Sequence, residues 1–285
     1  MALNVQVFLT RLGSAVVFSA IMMAGLLMNE WVFIALFFTV NILCLKEYAK
    51  MVGLILQVDL SKNERMNFMA VGVALFAAVI SLPVIRCENP ISLFLSNYLF
   101  YFIGAVMGTF LIFFFFRKNR KAVYLLTGLG YIPVALGFLV QLRFQSLYLP
   151  LMLILFIWMN DTMAYLTGSF IGKTPLYASI SPKKTVEGTL GGIVFTMAFA
   201  FIWGYYTNWF PVSLWILFGL IAGVVGTAGD LVESKLKRLS GIKDSGAIMP
   251  GHGGALDRFD SLLLSAPVAF LVAAIYEVCL QVKVF

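Results

Sequence analysis

Charge is scarce in this chain. Only 12% of its 285 residues are Asp, Glu, Lys or Arg, about half the share in a soluble domain, and the mean hydropathy is +0.97. Histidine is almost missing, His252 being alone, and Cys44, Cys87 and Cys279 have no metal or redox spacing. Together these exclude a zinc centre of the usual nitrogen and sulfur kind. No GxxxxGK[ST] loop occurs, so a Walker A phosphate cradle is excluded. The short alternating segments of a membrane β-barrel are absent too.

Long apolar runs take their place. Stretches of roughly 18 or more apolar residues recur along the chain, and the expected fold is an all-α polytopic membrane protein. Nine spans are expected, near 11–28, 30–46, 67–85, 94–116, 122–141, 147–170, 188–205, 212–230 and 261–282. Residues 1–28 read as a retained helix rather than a leader, because no Lys or Arg precedes Arg11. Residues 46–66 suggest a short amphipathic segment on the inner surface, with Tyr48, Met51, Leu54 and Ile55 set against Lys46, Glu47 and Lys50.

With the N-terminus inside, the inner segments hold 17 of the 20 basic residues. Only Arg86, Arg143 and Lys283 fall outside, which fits an N-in, C-out orientation. The net charge of +7 is then a matter of topology, and no nucleic acid partner is expected. Cys87 and Cys279 would share the outer side, where their pairing stays open. The chain changes character near residue 150. Residues 1–150 read as scaffold helices, and 151–285 as a catalytic region with polar loops at the inner face.

The polar exceptions concentrate in that second part. Asp161 lies well along the sixth span, where an ionised carboxylate costs about 2.5–3.5 kcal/mol. Either it reaches the inner interface or it faces a polar cavity. In 172–192, Lys173, Lys183 and Lys184 can hold phosphate oxygens. Ser181 and Thr185 add hydroxyls, and one of them can cap a helix starting near Val186. Gly188, Gly191 and Gly192 allow close helix approach.

Residues 230–261 hold ten charged residues in 32 positions. Asp230 and Glu233 share a helix face at i, i+3, and so do Asp257 and Asp260. Gathered together, these carboxylates would repel one another, a conflict that a divalent cation removes. Oxygen ligands beside basic residues suggest Mg²⁺ shared with substrate phosphates. Its expected ligands are Asp230, Asp257 and Asp260, with Asp161 as a further or supporting carboxylate. His252, in a glycine-rich loop, reads as a substrate contact rather than a base.

The run SKLKRLSGIKDSGAIMPGHGGALDRFD resembles the signature of the CTP:phosphatidate cytidylyltransferases, the CDP-diacylglycerol synthases. Ser234, Lys237, Arg238, Lys243, Asp244, Pro250, His252, Gly253, Gly254, Asp257, Arg258 and Asp260 fall at its spacing. NDTMAYLTGSFIGKTPL and SPKKTVEGTLGG resemble two further blocks. Met249 and Ala255 depart from the pattern in apolar size only. The resemblance implies that CTP and phosphatidic acid give CDP-diacylglycerol and pyrophosphate with Mg²⁺. It also implies a second cation such as K⁺, a homodimer, and a bacterial cytoplasmic membrane with the site facing the cytoplasm. Catalysis would fall to Asp161, Asp230, Asp257, Asp260 and Lys184. CTP contacts would come from Lys173, Ser181, Lys183, Lys184, Thr185, Lys237, Arg238, Lys243, Asp244, His252, Gly253, Gly254 and Arg258. Two other readings remain: a CTP-dependent kinase of a lipid alcohol, and an ion-coupled transporter. A CDP-alcohol phosphotransferase is disfavoured because no DGxxAR…GxxxDxxxD run occurs.

Overall fold

A computed structural model of the chain describes residues 5–82, 118–248 and 253–282, with side chains for 13–82, 118–248 and 253–277. The expected span 94–116, Arg86, Cys87, Cys279 and His252 lie outside these residues or side chains. In chain order the helices are α1 Val5–Leu27, α2 Glu30–Leu56, α3 Lys62–Ile80, α4 Arg120–Tyr131, α5 Pro133–Gln145 and α6 Tyr148–Ile171. Next comes a hairpin, with β1 Pro175–Tyr177 and β2 Ser181–Thr185. After it are α7 Val186–Thr207, α8 Val212–Leu220, a π-turn at Ile221–Val225, α9 Gly226–Leu239 and α10 Leu256–Val282.

The protein is a polytopic helical membrane protein. Among the described residues, seven helical stretches are long and apolar enough to cross a membrane, α4–α5 forming one and α8–α9 another. They coincide with the expected spans that begin at 30, 67, 122, 147, 188, 212 and 261. The apolar part of α1 within the described side chains, Gly13–Leu27, is shorter.

Two boundaries differ most from expectation, for the same reason. Charged residues with good helix propensity extend a helix when their side chains find partners. So α2 runs on from residue 46 to Leu56, and the α8–α9 stretch runs on from 230 to Leu239. The amphipathic surface segment expected at 46–66 is corrected accordingly. Tyr48 and Met51 are buried in the bundle core, and the Tyr48 hydroxyl donates to the Tyr124 carbonyl. α2 then ends at Gln57, in left-handed conformation (φ 53°), and Ser61 and Glu64 form a capping box that starts α3.

The core lies where α2, α5, α6, α8 and α10 meet. Phe33, Phe37, Leu136, Leu153, Phe156, Trp215, Phe218, Leu263 and Phe270 are buried there. Lipid tails are as apolar as these side chains, so close packing rather than water exclusion holds the helices together. The tightest pair is α6 with α7. A Cβ at Gly188 would lie 2.7 Å from the Ala164 carbonyl oxygen, and one at Gly192 would lie 2.8 Å from that of Asn160. The glycine face expected from the sequence does allow the close approach.

The β-hairpin is the departure from an all-α expectation. Its strands are antiparallel, with Pro175 opposite Thr185 and Tyr177 opposite Ser181. It joins the end of α6 to the start of α7 and carries the lysine-rich segment.

Candidate active site

The charged groups collect at one end of the bundle because helix ends meet there: α6 leaving, α7 entering, α9 leaving and α10 entering. Thr185 caps α7, its hydroxyl oxygen accepting from the Gly188 N–H at 3.1 Å. Of the two caps the sequence allowed, this is the one used. Glu187, in the first turn, accepts from the backbone N–H groups of Lys173 and Thr174. That contact closes the hairpin onto α7 and fixes where Lys184 emerges.

Lys184 pairs with Asp230 on α9. The other Asp230 oxygen accepts from the Ser234 hydroxyl at 3.1 Å. Asp161 and Asp260 lie within electrostatic reach of both Asp230 and Lys184. Close approach of α9 to α10 makes this possible, because Gly229 leaves no room for a Cβ beside the Asp260 carbonyl oxygen. Three carboxylates from three helices thus lie within electrostatic reach of one lysine.

Glu233 and Asp257 keep different company. Lys237 reaches Glu233 at 2.5 Å and Asp257 at 2.7 Å, and the Glu233 side chain is fully buried. The second Asp257 oxygen accepts from the Ser245 N–H (2.8 Å), the Ser245 hydroxyl (2.9 Å) and the Gly254 N–H (2.7 Å). Its acceptor capacity is therefore largely taken. Each i, i+3 pair is split between two groupings: Asp230 and Asp260 with Lys184, Glu233 and Asp257 with Lys237. The spacing alone would join all four around one ion.

Elsewhere, Arg238 donates through Nε to the Ile180 carbonyl at 3.2 Å and ties α9 to the hairpin. Lys173, Lys183, Lys243, Asp244 and Arg258 are exposed, Ser181 and Gly253 are half-buried, and Gly254 is buried. One residue that matters here is not evident from the sequence motifs. Glu47 of α2 is only 7% exposed. It accepts from the Ala255 N–H (3.0 Å), the Leu256 N–H (2.8 Å) and the Ser245 hydroxyl (2.7 Å). Its signal is positional: Glu47 stands three residues after Cys44 and four before Met51, both buried, so it lies on the core face of α2.

The donor set fits a hard cation, being all oxygen with no sulfur or imidazole. Among the described residues, no three His, Cys, Asp or Glu side chains stand close enough to hold a metal by themselves. A cation here would take its remaining ligands from water and substrate phosphates, which is the habit of Mg²⁺.

Comparison with known proteins gives the family. A family model described as the cytidylyltransferase family matches residues 9–276. The chain belongs to the cytidylyltransferase family. It is 41% identical over 157 residues to a phosphatidate cytidylyltransferase of Staphylococcus aureus (strain COL). It is 40% and 38% identical, over the same length, to the proteins of that name from Staphylococcus saprophyticus and Staphylococcus haemolyticus. Each alignment covers 53% of this chain and 60% of the relative.

Proposed function

We propose that the protein is a phosphatidate cytidylyltransferase of a bacterial cytoplasmic membrane, acting at the cytoplasmic face. The observation that carries this reading is the meeting of Asp161, Asp230 and Asp260 with Lys184 at one end of the bundle. Family membership and the names of the relatives support the choice of reaction.

A phosphate oxygen of phosphatidic acid attacks the α-phosphorus of CTP. The bond from the α-phosphorus to the bridging oxygen breaks, and pyrophosphate leaves with that oxygen. The attacking oxygen is already anionic near neutral pH, so no general base is needed and catalysis is mainly positioning and electrostatics. Asp230, with Asp161 and Asp260 nearby, would contribute to a Mg²⁺ site completed by water and substrate phosphates, and the ion would neutralise charge on those phosphates. Lys184 holds Asp230 in place and can donate to a phosphate oxygen. Lys173, Lys183, Lys243 and Arg258, all exposed around the site, attract the triphosphate and the leaving pyrophosphate. Asp257 and Lys237 serve the site through their own pairing, by holding the end of α9 against the start of α10. His252 and the glycines of its loop are proposed substrate contacts. A homodimer and a second cation such as K⁺ come with the family resemblance and belong to the same proposal.

Two ion pairs support the assignment of sides. Glu64 pairs with Lys121, joining two segments expected inside. Arg143 lies 3.8 Å from Glu30, joining two expected outside.

Mass spectrometry of the products from purified protein, CTP and Mg²⁺, given phosphatidic acid or diacylglycerol, tests the reaction. CDP-diacylglycerol with pyrophosphate is expected from phosphatidic acid. Release of CDP with phosphorylated lipid from diacylglycerol would identify a kinase instead.

A further inference from the structure

The first N–H groups of a helix have no partner within it, and a Ser, Thr, Asp or Asn side chain usually accepts from them. α10 starts at Leu256, straight after Gly253, Gly254 and Ala255, none of which has a side-chain acceptor. Asp257 reaches back to the Gly254 N–H at 2.7 Å. The N–H groups of Ala255 and Leu256 go to Glu47 instead, across 208 and 209 positions of sequence. Ser245 links the two acids, its hydroxyl lying 2.7 Å from Glu47 and 2.9 Å from Asp257. A serine hydroxyl has one hydrogen, so the two carboxylates share it.

We propose that Glu47 is a positioning residue of the active site. It supplies from α2 the cap that α10 lacks. Through Ser245 it also sets the orientation of Asp257, and so of the first turn that carries Arg258 and Asp260. Glu47 contacts none of the proposed reacting atoms and acts through the backbone of α10. The inference rests on the proposed reaction only for its kinetic readout.

Gly254 is the counterpart of this arrangement. A Cβ there would run into the Glu47 carboxylate and the Ser245 hydroxyl. The cap from α2 and a capping side chain at position 254 therefore exclude each other, and that exclusion provides a test. Glu47→Gln keeps the volume but swaps one acceptor oxygen for an NH₂ group. In hydrogen exchange on the full chain in detergent, it should speed exchange of the amides at 253–258 and leave α6 and α7 unchanged. The kcat should fall about tenfold or more, since small misplacements near reacting groups are costly, while KM for CTP moves less than about threefold. Gly254→Ser alone should lower kcat. In a Glu47→Ala background the same change supplies a local cap and should raise kcat several-fold.

Unchanged exchange and kcat in Glu47→Gln would overturn the inference. So would lost activity without a local change in exchange, or a Gly254→Ser effect of the same sign in both backgrounds. Glu47 variants that fail to fold and are not restored by Gly254→Ser would overturn it as well. The exchange result does not depend on which lipid product forms. Normal local exchange changes without CDP-diacylglycerol would defeat the proposed reaction and leave the cap standing.

Discussion

Five acids at one end of the bundle, Asp161, Asp230, Glu233, Asp257 and Asp260, share two lysines, Lys184 and Lys237. The lysines do different work. Lys237 is mostly buried between Glu233 and Asp257, and removing one partner of a buried charge group typically costs about 3–5 kcal/mol. Lys237→Met should therefore lower the thermal midpoint in detergent sharply. Lys184 and Asp230 are partly open. Lys184→Met should leave the midpoint within a few degrees, because part-exposed pairs contribute only about 1 kcal/mol or less, yet it should abolish turnover. A reversed pattern, stability lost with Lys184 and activity alone lost with Lys237, would contradict this division. The acids themselves were legible in the sequence, since carboxylates in apolar surroundings stand out. Their grouping was not. Residues at i, i+3 are about 60° apart around a helix, enough for each to face a different neighbour, and only the packed helices decide which.

At the scale of elements, the contact between α6 and α7 depends on the absence of side chains. The backbone of α6 lies where a Cβ on Gly192 would go, so Gly192→Val should destabilise by about 1–3 kcal/mol, the usual cost of overpacking. The thermal midpoint of the purified variant reports it, and a value equal to wild type would show that the helices are not pressed together. This contact was legible from glycine spacing, and the start of α7 from Thr185. The hairpin was not, because strands of three and five residues are too short to show a period, and its SPKKT strand reads as a basic loop. The π-turn at Ile221–Val225 left no sequence signal either. It adds a residue to one turn, rotating the helix beyond it by about 100°, and thereby sets which face of α9 presents Asp230.

At the scale of the whole molecule, the proposed orientation rests on the positive-inside pattern, with which the two ion pairs are compatible. In a background with Cys44, Cys87 and Cys279 replaced by Ala, Lys183→Cys should react with an impermeant maleimide only after the cells are permeabilised. Pro211→Cys should react in intact cells. Labelling of Lys183→Cys from outside would invert the proposed orientation. The positions of the seven described spans were readable from hydropathy alone. The link from Glu47 to the site was not, because it joins residues about two hundred positions apart and exists only once α2 packs beside α10. The central claim is that acids from separate helices, at one membrane face, hold a cation with the nucleotide. Mn²⁺ binding followed by electron paramagnetic resonance, with and without CTP, tests it most directly. The account predicts CTP-enhanced binding in the wild type, weakened about tenfold or more in both Asp230→Asn and Asp260→Asn; equal binding in all three proteins would contradict it.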